Sequence, residues 1–213
     1  MPLVALSSIT SQQTKATDAT KRALQRCLDY LFTFPNGTIT YTASDMVLWV
    51  HSDGAYLVEP NAKSRVGGHF FLSDYIHDLS TIDKASPHLN GPVHTLCKIL
   101  RNIVSSAAEC EIAGAFENGQ DATVIRRTLI EMGHPQPPTP IQVDNTTTQR
   151  FIDGTIKEKR TKSIDMKYHW LKDREQQRQF KFFWRPGRYN LGDPFTKHLS
   201  GKEYLKFQKL FCL

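Results

Sequence analysis

The stretch that most constrains this chain is Met46 to Leu57, Met-Val-Leu-Trp-Val-His-Ser-Asp-Gly-Ala-Tyr-Leu, an apolar run that delivers one carboxylate onto a glycine. Its β-branched and aromatic residues read as a buried strand ending at Asp53. An unpaired ionised carboxylate in such a strand carries a heavy desolvation cost. Asp53 therefore either meets a cation or simply starts a turn, because Asp-Gly is also a common turn dipeptide.

The chain in order supplies elements for an α/β fold. Residues 1–16 are rich in Ser, Thr and Gln and read as a poorly ordered lead-in. From Thr17 or Asp18, Leu24, Cys27, Leu28, Leu31 and Phe32 recur at helical spacing, and Pro35 and Asn36-Gly37 end that helix. After the first strand, Arg65 to Ser73 reads as a second strand antiparallel to it. Residues 74–93 read as a loop or hairpin and Thr95 to Val104 as a third strand. Ser106 with Glu109 has the capping-box spacing of a helix start, and a further helix spans Asp121 to Met132, closed by Gly133. Thr139 to Val143 is a short strand ending at Asp144, and a short helix runs on through Phe151. A basic helix follows over Thr161 to Gln177, then a strand around Phe180 to Trp184, and a last helix begins near Asp193-Pro194. Strands interleaved with helices predict a central mixed sheet flanked by helices.

Charge and composition narrow the functional classes. The chain carries +6 overall, and between Thr155 and Arg188 eleven basic residues face four acidic ones. Lys162, Lys167, His169, Arg174, Arg185, Arg188 and Lys197 are the candidate nucleic-acid contacts, since cations meet phosphates and Tyr168, Trp170 and Trp184 offer rings among them. A solvated helix face with ordinary core aromatics would have the same composition. No apolar run approaches the roughly 18 residues that span a bilayer, and no basic region precedes the apolar N-terminus, so neither a membrane span nor a secretory signal is predicted. Cys27, Cys97, Cys110 and Cys212 form no Cys-x-x-Cys pair and read as reduced, buried thiols of an intracellular protein.

Four acids stand where strand or helix ends would aim them at one spot. Asp53 closes the first strand, Asp144 closes the Ile-Gln-Val strand, and Asp193 opens the last helix. Glu109 and Glu111, two residues apart on one helix, point to different sides. Glu109 suits the cap, which leaves Glu111 to face the sheet. Asp144 and Asp193 would each serve equally as a helix N-cap, and Glu111 as a solvated helix residue. Taken together, clustered carboxylates call for divalent cations, and an all-oxygen shell favours Mg²⁺ or Mn²⁺ over zinc. Two such ions suit phosphoryl chemistry.

These residues resemble a known family, the ribonuclease H domain of copia-type retrotransposon polyproteins. The resemblance rests on Val50-His51-Ser52-Asp53-Gly54-Ala55-Tyr56, Ser105 to Ile112, Gln142-Val143-Asp144-Asn145, Arg160 to His169, and Asn190-Leu191-Gly192-Asp193-Pro194-Phe195-Thr196-Lys197, in the family's order. It implies a ribonuclease H-like fold over residues 46–213, with a central mixed five-stranded sheet, behind a helical and extended lead-in over 1–45 that resembles the segment joining polymerase to ribonuclease H. It implies two Mg²⁺ ions, with Mn²⁺ as the alternative, and endonucleolytic hydrolysis of the RNA strand of an RNA–DNA hybrid. By motif, Asp53 and Asp144 would contact both ions, Glu111 the ion on the leaving-group side, and Asp193 the ion on the side of the attacking water. The basic helix would track the backbone, and 2′-hydroxyl contacts would identify RNA.

The implied partners are the hybrid and the polymerase part of the same polyprotein, and the implied setting is intracellular, in cytoplasmic virus-like particles or the nucleus. A catalytically inactive hybrid-binding module is the alternative on the same fold. This chain has Glu109-Cys110-Glu111 where the family has Glu-Ala-Glu, and Gly192 where it has alanine, a change expected to loosen Asp193. It contains no Asp-Asp pair, so reverse transcription itself is not predicted, and it reads as part of a larger polyprotein or as a remnant put to another use.

Overall fold

In the computed structural model of the chain, residues 2–84, 87–152 and 162–211 are described. Lys157, Lys159, Arg160 and Cys212 lie outside them, as does the side chain of Lys162. Two helices, α1 (Leu3–Ser11) and α2 (Asp18–Thr33), precede three antiparallel strands, β1 (Val47–Glu59), β2 (Lys63–Ser73) and β3 (Pro92–Ile99). A long helix, α3 (Ala107–Glu131), leads to β4 (Thr139–Val143). Two further helices, α4 (Thr146–Ile152) and α5 (Lys162–Gln176), precede β5 (Phe180–Trp184), and α6 (Gly201–Phe211) closes the described chain. The sheet order is β3-β2-β1-β4-β5, with β4 parallel to both its neighbours. This is the mixed five-stranded sheet the sequence predicts.

Strand alternation sorts the core into two layers. Leu48 and Val50 of β1 face the helices with Phe70, Ile141, Val143, Phe180 and Phe182, and meet Ile112, Ala115, Ala122 and Leu129 of α3 and Leu171 of α5. On the opposite face Trp49, Phe71 and Phe183 pack under the 76–82 loop. Both faces are covered, which is why Phe182 and Phe183 are both buried although neighbours in one strand.

The structure departs from the sequence reading at five places. β1 does not end at Asp53 but runs on to Glu59, with Asp53 opposite Gly67 and Gly54 opposite Val66, so Asp53-Gly54 is not a turn. The third strand sits earlier than Thr95–Val104. α3 is one helix of 25 residues rather than two. Asn118-Gly119, just before the second of the two expected helices, is where the helix touches its neighbours. Asn118 Nδ2 donates to Ser52 Oγ and to the Gly67 and Gly114 carbonyls, and a Cβ on Gly119 would come within 2.9 Å of the Trp170 ring of α5. Asp193 opens only a 3-10 turn over Asp193–Phe195, and the last helix starts at Gly201. Finally, the Ser-rich start is helical: Leu3 packs with Leu191 and Phe195, and Ser8 Oγ accepts from the buried Arg65.

Candidate active site

Parallel pairing brings two of the acids side by side. Val50 lies opposite Ile141 and His51 opposite Gln142. The same register carried two residues further puts Asp53 beside Asp144, on the sheet face away from the α3 layer. β4 stops at Val143 while β1 continues, so the Gly54 amide meets no strand partner on that side. Glu111 of α3 takes it, Oε1 accepting from Gly54 N at 3.2 Å.

This approach requires glycine. A Cβ on Gly54 would meet the Cys110 carbonyl at 2.9 Å, and one on Gly114 would meet the Asp53 carbonyl oxygen at 3.0 Å. Helix and strand therefore touch backbone to backbone at the level of the acids. The helix start behaves as half of the expected cap. Ser106 Oγ accepts from Glu109 N, but the Glu109 carboxylate turns to the amide and hydroxyl of Ser105. Glu109 is thereby committed at the helix end and Glu111 faces the sheet.

Ligand atoms of Asp53, Glu111 and Asp144 lie within 4.8 Å of one another. Asp53 and Glu111 are 1% and 5% exposed, and their Oδ1 and Oε2 atoms are buried without a hydrogen-bond partner. Burial pushes the Asp53 carboxyl up to about 6 against the pull of Lys197 and Thr196. Burial, reinforced by the charges of Asp53 and Asp144, pushes Glu111 up to about 10, and Asp144 is raised by burial as well. Three carboxylates held this close, with two oxygens unpaired, could hold a cation. The all-oxygen donor set fits a hard divalent ion.

Asp193 stands apart from this triad. Its carboxylate is ion-paired with Lys197, whose Nζ lies 4.0 Å from Asp53 Oδ2. Lys197, a candidate nucleic-acid contact by sequence, is thus engaged with the acidic centre. Burial opposes its charge, and Asp53 and Asp193 outweigh burial, holding its pKa above the ordinary lysine value.

The segment that carries Asp193 is fastened to β1 by motif residues to which the sequence assigns no role. Asn190 Nδ2 donates to the Ser52 carbonyl at 2.7 Å, Leu191 N to His51 Nδ1 at 3.0 Å, and the Thr196 hydroxyl to Asp53 Oδ2. Burial, with His69 and Arg185 nearby, keeps His51 well below the usual histidine pKa, so Nδ1 remains an acceptor. Asn190 and Thr196 each stand three residues from Asp193 in the same motif. That spacing was the one available signal. Gly192 does not loosen this segment: a Cβ there would come within 2.9 Å of the His51 carbonyl oxygen, so glycine permits a tight seat.

The remaining basic candidates divide by position. Arg185 and Arg188 stack on the Tyr189 ring at 5.0 and 4.9 Å, and Gly187 between them is so near Asp144 that a Cβ would lie 3.1 Å from its Oδ2. These two arginines adjoin the acids. Lys167 lies over Phe116 of α3, and His169 is exposed on α5 beside Tyr168. Arg174 caps the other end of the sheet, over Trp170 and bonded to Gln177 and Gln179. At about 3.3 Å per strand residue, β5 separates it from Asp144 by roughly 15 Å, so it does not belong to this site.

No protein-family model matches the chain. Among curated proteins it is similar to the retrovirus-related Pol polyprotein from transposon TNT 1-94 of Nicotiana tabacum, 23% identical over 176 residues. That match covers 82% of this chain but only 12% of the polyprotein. Among solved structures it is similar to LC11-RNase H1, isolated from compost by a metagenomic approach. The TM-score is 0.50 at 13% identity, covering 71% of this chain and 93% of that one. By fold the chain is a ribonuclease H-like domain, and in sequence it is similar to a retrotransposon Pol polyprotein.

Proposed function

We propose that the chain hydrolyses the RNA strand of RNA–DNA hybrids, as the ribonuclease H part of an intracellular retrotransposon reverse-transcription machinery, with Mg²⁺ as its cofactor. The observation that carries this reading is the meeting of Asp53, Glu111 and Asp144 at the β1–β4 junction with two buried carboxylate oxygens left unpaired. Asp53, Glu111 and Asp144 would hold the cation, and Asp193 would contribute to a second. When bound, such ions lower the pKa of a water and stabilise charge on the leaving oxygen.

The chain's own residues build the setting. The Gly54 amide orients Glu111, and Thr196 fixes one oxygen of Asp53 and leaves the other open. Arg185 and Arg188, preorganised on Tyr189 beside Asp144, offer positive charge to a phosphodiester backbone entering the site. Lys167 and His169 of α5 are the further candidate contacts. Among the described residues no helix is long and apolar enough to cross a membrane.

The test is cleavage of an end-labelled RNA–DNA hybrid in Mg²⁺ by the wild type and by Asp144→Asn. The expected result is cuts confined to the RNA strand, leaving 5′-phosphate ends, with the rate falling about a thousandfold in the variant, as when a preorganised electrostatic group is lost. Salt-sensitive hybrid binding with no cuts in Mg²⁺ or Mn²⁺ would replace the nuclease with a hybrid-binding module.

A further inference from the structure

The two oxygens of Asp53 have different company. Oδ1 is buried with no hydrogen-bond partner, whereas Oδ2 accepts from the Thr196 hydroxyl and lies 4.0 Å from Lys197 Nζ. Lys197 is also the ion-pair partner of Asp193, four residues before it. The lysine ammonium therefore sits between the fourth acid and the back of the first. The acids beyond it, Glu111 and Asp144, gather with Asp53 as a separate group.

Lys197 is held there by its neighbours as well as by charge. Thr196 is 1% exposed, and its hydroxyl also contacts the Asp193 carbonyl at 3.0 Å. The preceding Phe195 is buried against Leu191 and Leu3. The side chain of Lys197 itself is 43% exposed, so its ammonium is free to swing into solvent when something else neutralises the carboxylates.

We propose that Lys197 is a resident counter-ion standing in for one cation at this centre, so that the folded protein takes one divalent ion at Asp53, Glu111 and Asp144 and admits a second only by displacing the lysine from Asp193. The inference rests on the nuclease reading only for the identity of the centre. It divides the four acids into a triad that keeps two unpaired oxygens, with Lys197 reaching it at 4.0 Å from Asp53, and an Asp193 directly ion-paired with the lysine. It makes Lys197 a positioning residue that sets the affinity of the second ion. A like charge held beside Asp53 and Asp193 must raise the concentration at which a second cation enters, and removing it must lower that concentration.

The experiment counts bound Mn²⁺ from the loss of the free-ion paramagnetic resonance signal, using the intact chain with no substrate. The wild type should bind one Mn²⁺, with a second entering only at much higher concentration. In Lys197→Met the second ion should bind about tenfold more tightly, a coupling of ordinary size for two charges sharing a site. Lys197→Arg, which keeps the charge, should restore the wild-type pattern. Equal second-ion affinities in wild type and Lys197→Met would overturn the proposal, as would tight binding of two ions by the wild type.

If Lys197→Met does not fold, acylation of Lys197 in the wild type decides the matter. Labelling should be slow without Mn²⁺ and about tenfold faster at saturating Mn²⁺, when the ammonium is released. An unchanged rate would refute displacement. Neither measurement depends on cleavage: failure here with an active nuclease removes only the role of Lys197, and the predicted binding without cleavage leaves it standing.

Discussion

Replacing Asp53 with asparagine is expected to make the metal-free protein more stable while removing its activity. The carboxyl is pushed up to about 6 in the folded chain, from an ordinary 3.8, chiefly by burial. At 1.36 kcal/mol per pKa unit, holding it ionised at pH 7 costs roughly 2–3 kcal/mol. A raised carboxylate pKa means that the folded state binds the proton more tightly than the unfolded one. The penalty is therefore present above about 6 and relieved as pH falls toward about 4. Glu111, held near 10, keeps its proton in the folded chain through this window while the unfolded chain releases it near the ordinary 4.5, so it adds slope of the same sign, as does Asp144.

Urea unfolding in a chelator should show Asp53→Asn about 2 kcal/mol above the wild type at pH 7, with the gap narrowing below pH 6 and closing toward about pH 4. Adding Mg²⁺ should reverse the order, because a ligand stabilises only the protein that binds it. Hybrid cleavage should fall about a thousandfold in the variant. A variant less stable than the wild type in the chelator would make Asp53 a structural anchor for Thr196 instead.

The second large effect lies away from the acids. Arg65 of β2 is fully buried, with Nε and Nη2 donating to Glu59 Oε1 at 2.8 and 2.6 Å, Nη1 to Cys97 Sγ, and Nη2 to Ser8 Oγ of α1. Arg65→Ala would strand the Glu59 carboxylate, whose side chain is 5% exposed, and release α1. Breaking a buried pair in this way costs about 3–5 kcal/mol, whereas replacing both partners with apolar residues is often neutral. Arg65→Ala should accordingly lose that much in urea unfolding, with faster amide exchange over Leu3–Ser11. Arg65→Leu combined with Glu59→Leu should recover most of the stability but not the protection of α1. A loss below about 1 kcal/mol in the single variant would contradict the assignment, since it is the range of exposed pairs.

Some of this architecture is legible in the chain because the signal is local. The apolar runs give β1, β2, β4 and β5, and Asp53 is conspicuous as a carboxylate in a buried strand. The two-residue offset of Glu109 and Glu111 separates the capping acid from the one facing the sheet. The errors arise where distant contacts override local pattern. The single helix α3 reads as two because nothing local shows that Trp170 packs on Gly119 and Ser52 against Asn118. α1 has little amphipathic pattern of its own, and its order comes from Leu191, Phe195 and Arg65. Gly54 reads as a turn until the Cys110 backbone is set against it. The pairing of Lys197 with Asp193 is local in sequence, but its approach to Asp53 joins residues 144 apart, and no spacing rule reveals it. Cys97, expected to be buried, is only half-buried, because it lies on β3 at the edge of the sheet.

The most direct test of the central claim is the anomalous scattering of crystals of the chain soaked in Mn²⁺. The account predicts a peak within coordinating distance of Asp53 Oδ1, Glu111 Oε2 and Asp144, with Lys197 still on Asp193 at the lowest Mn²⁺ concentration. Saturating Mn²⁺ that gives no peak among these three carboxylates, or a first peak elsewhere, would contradict it.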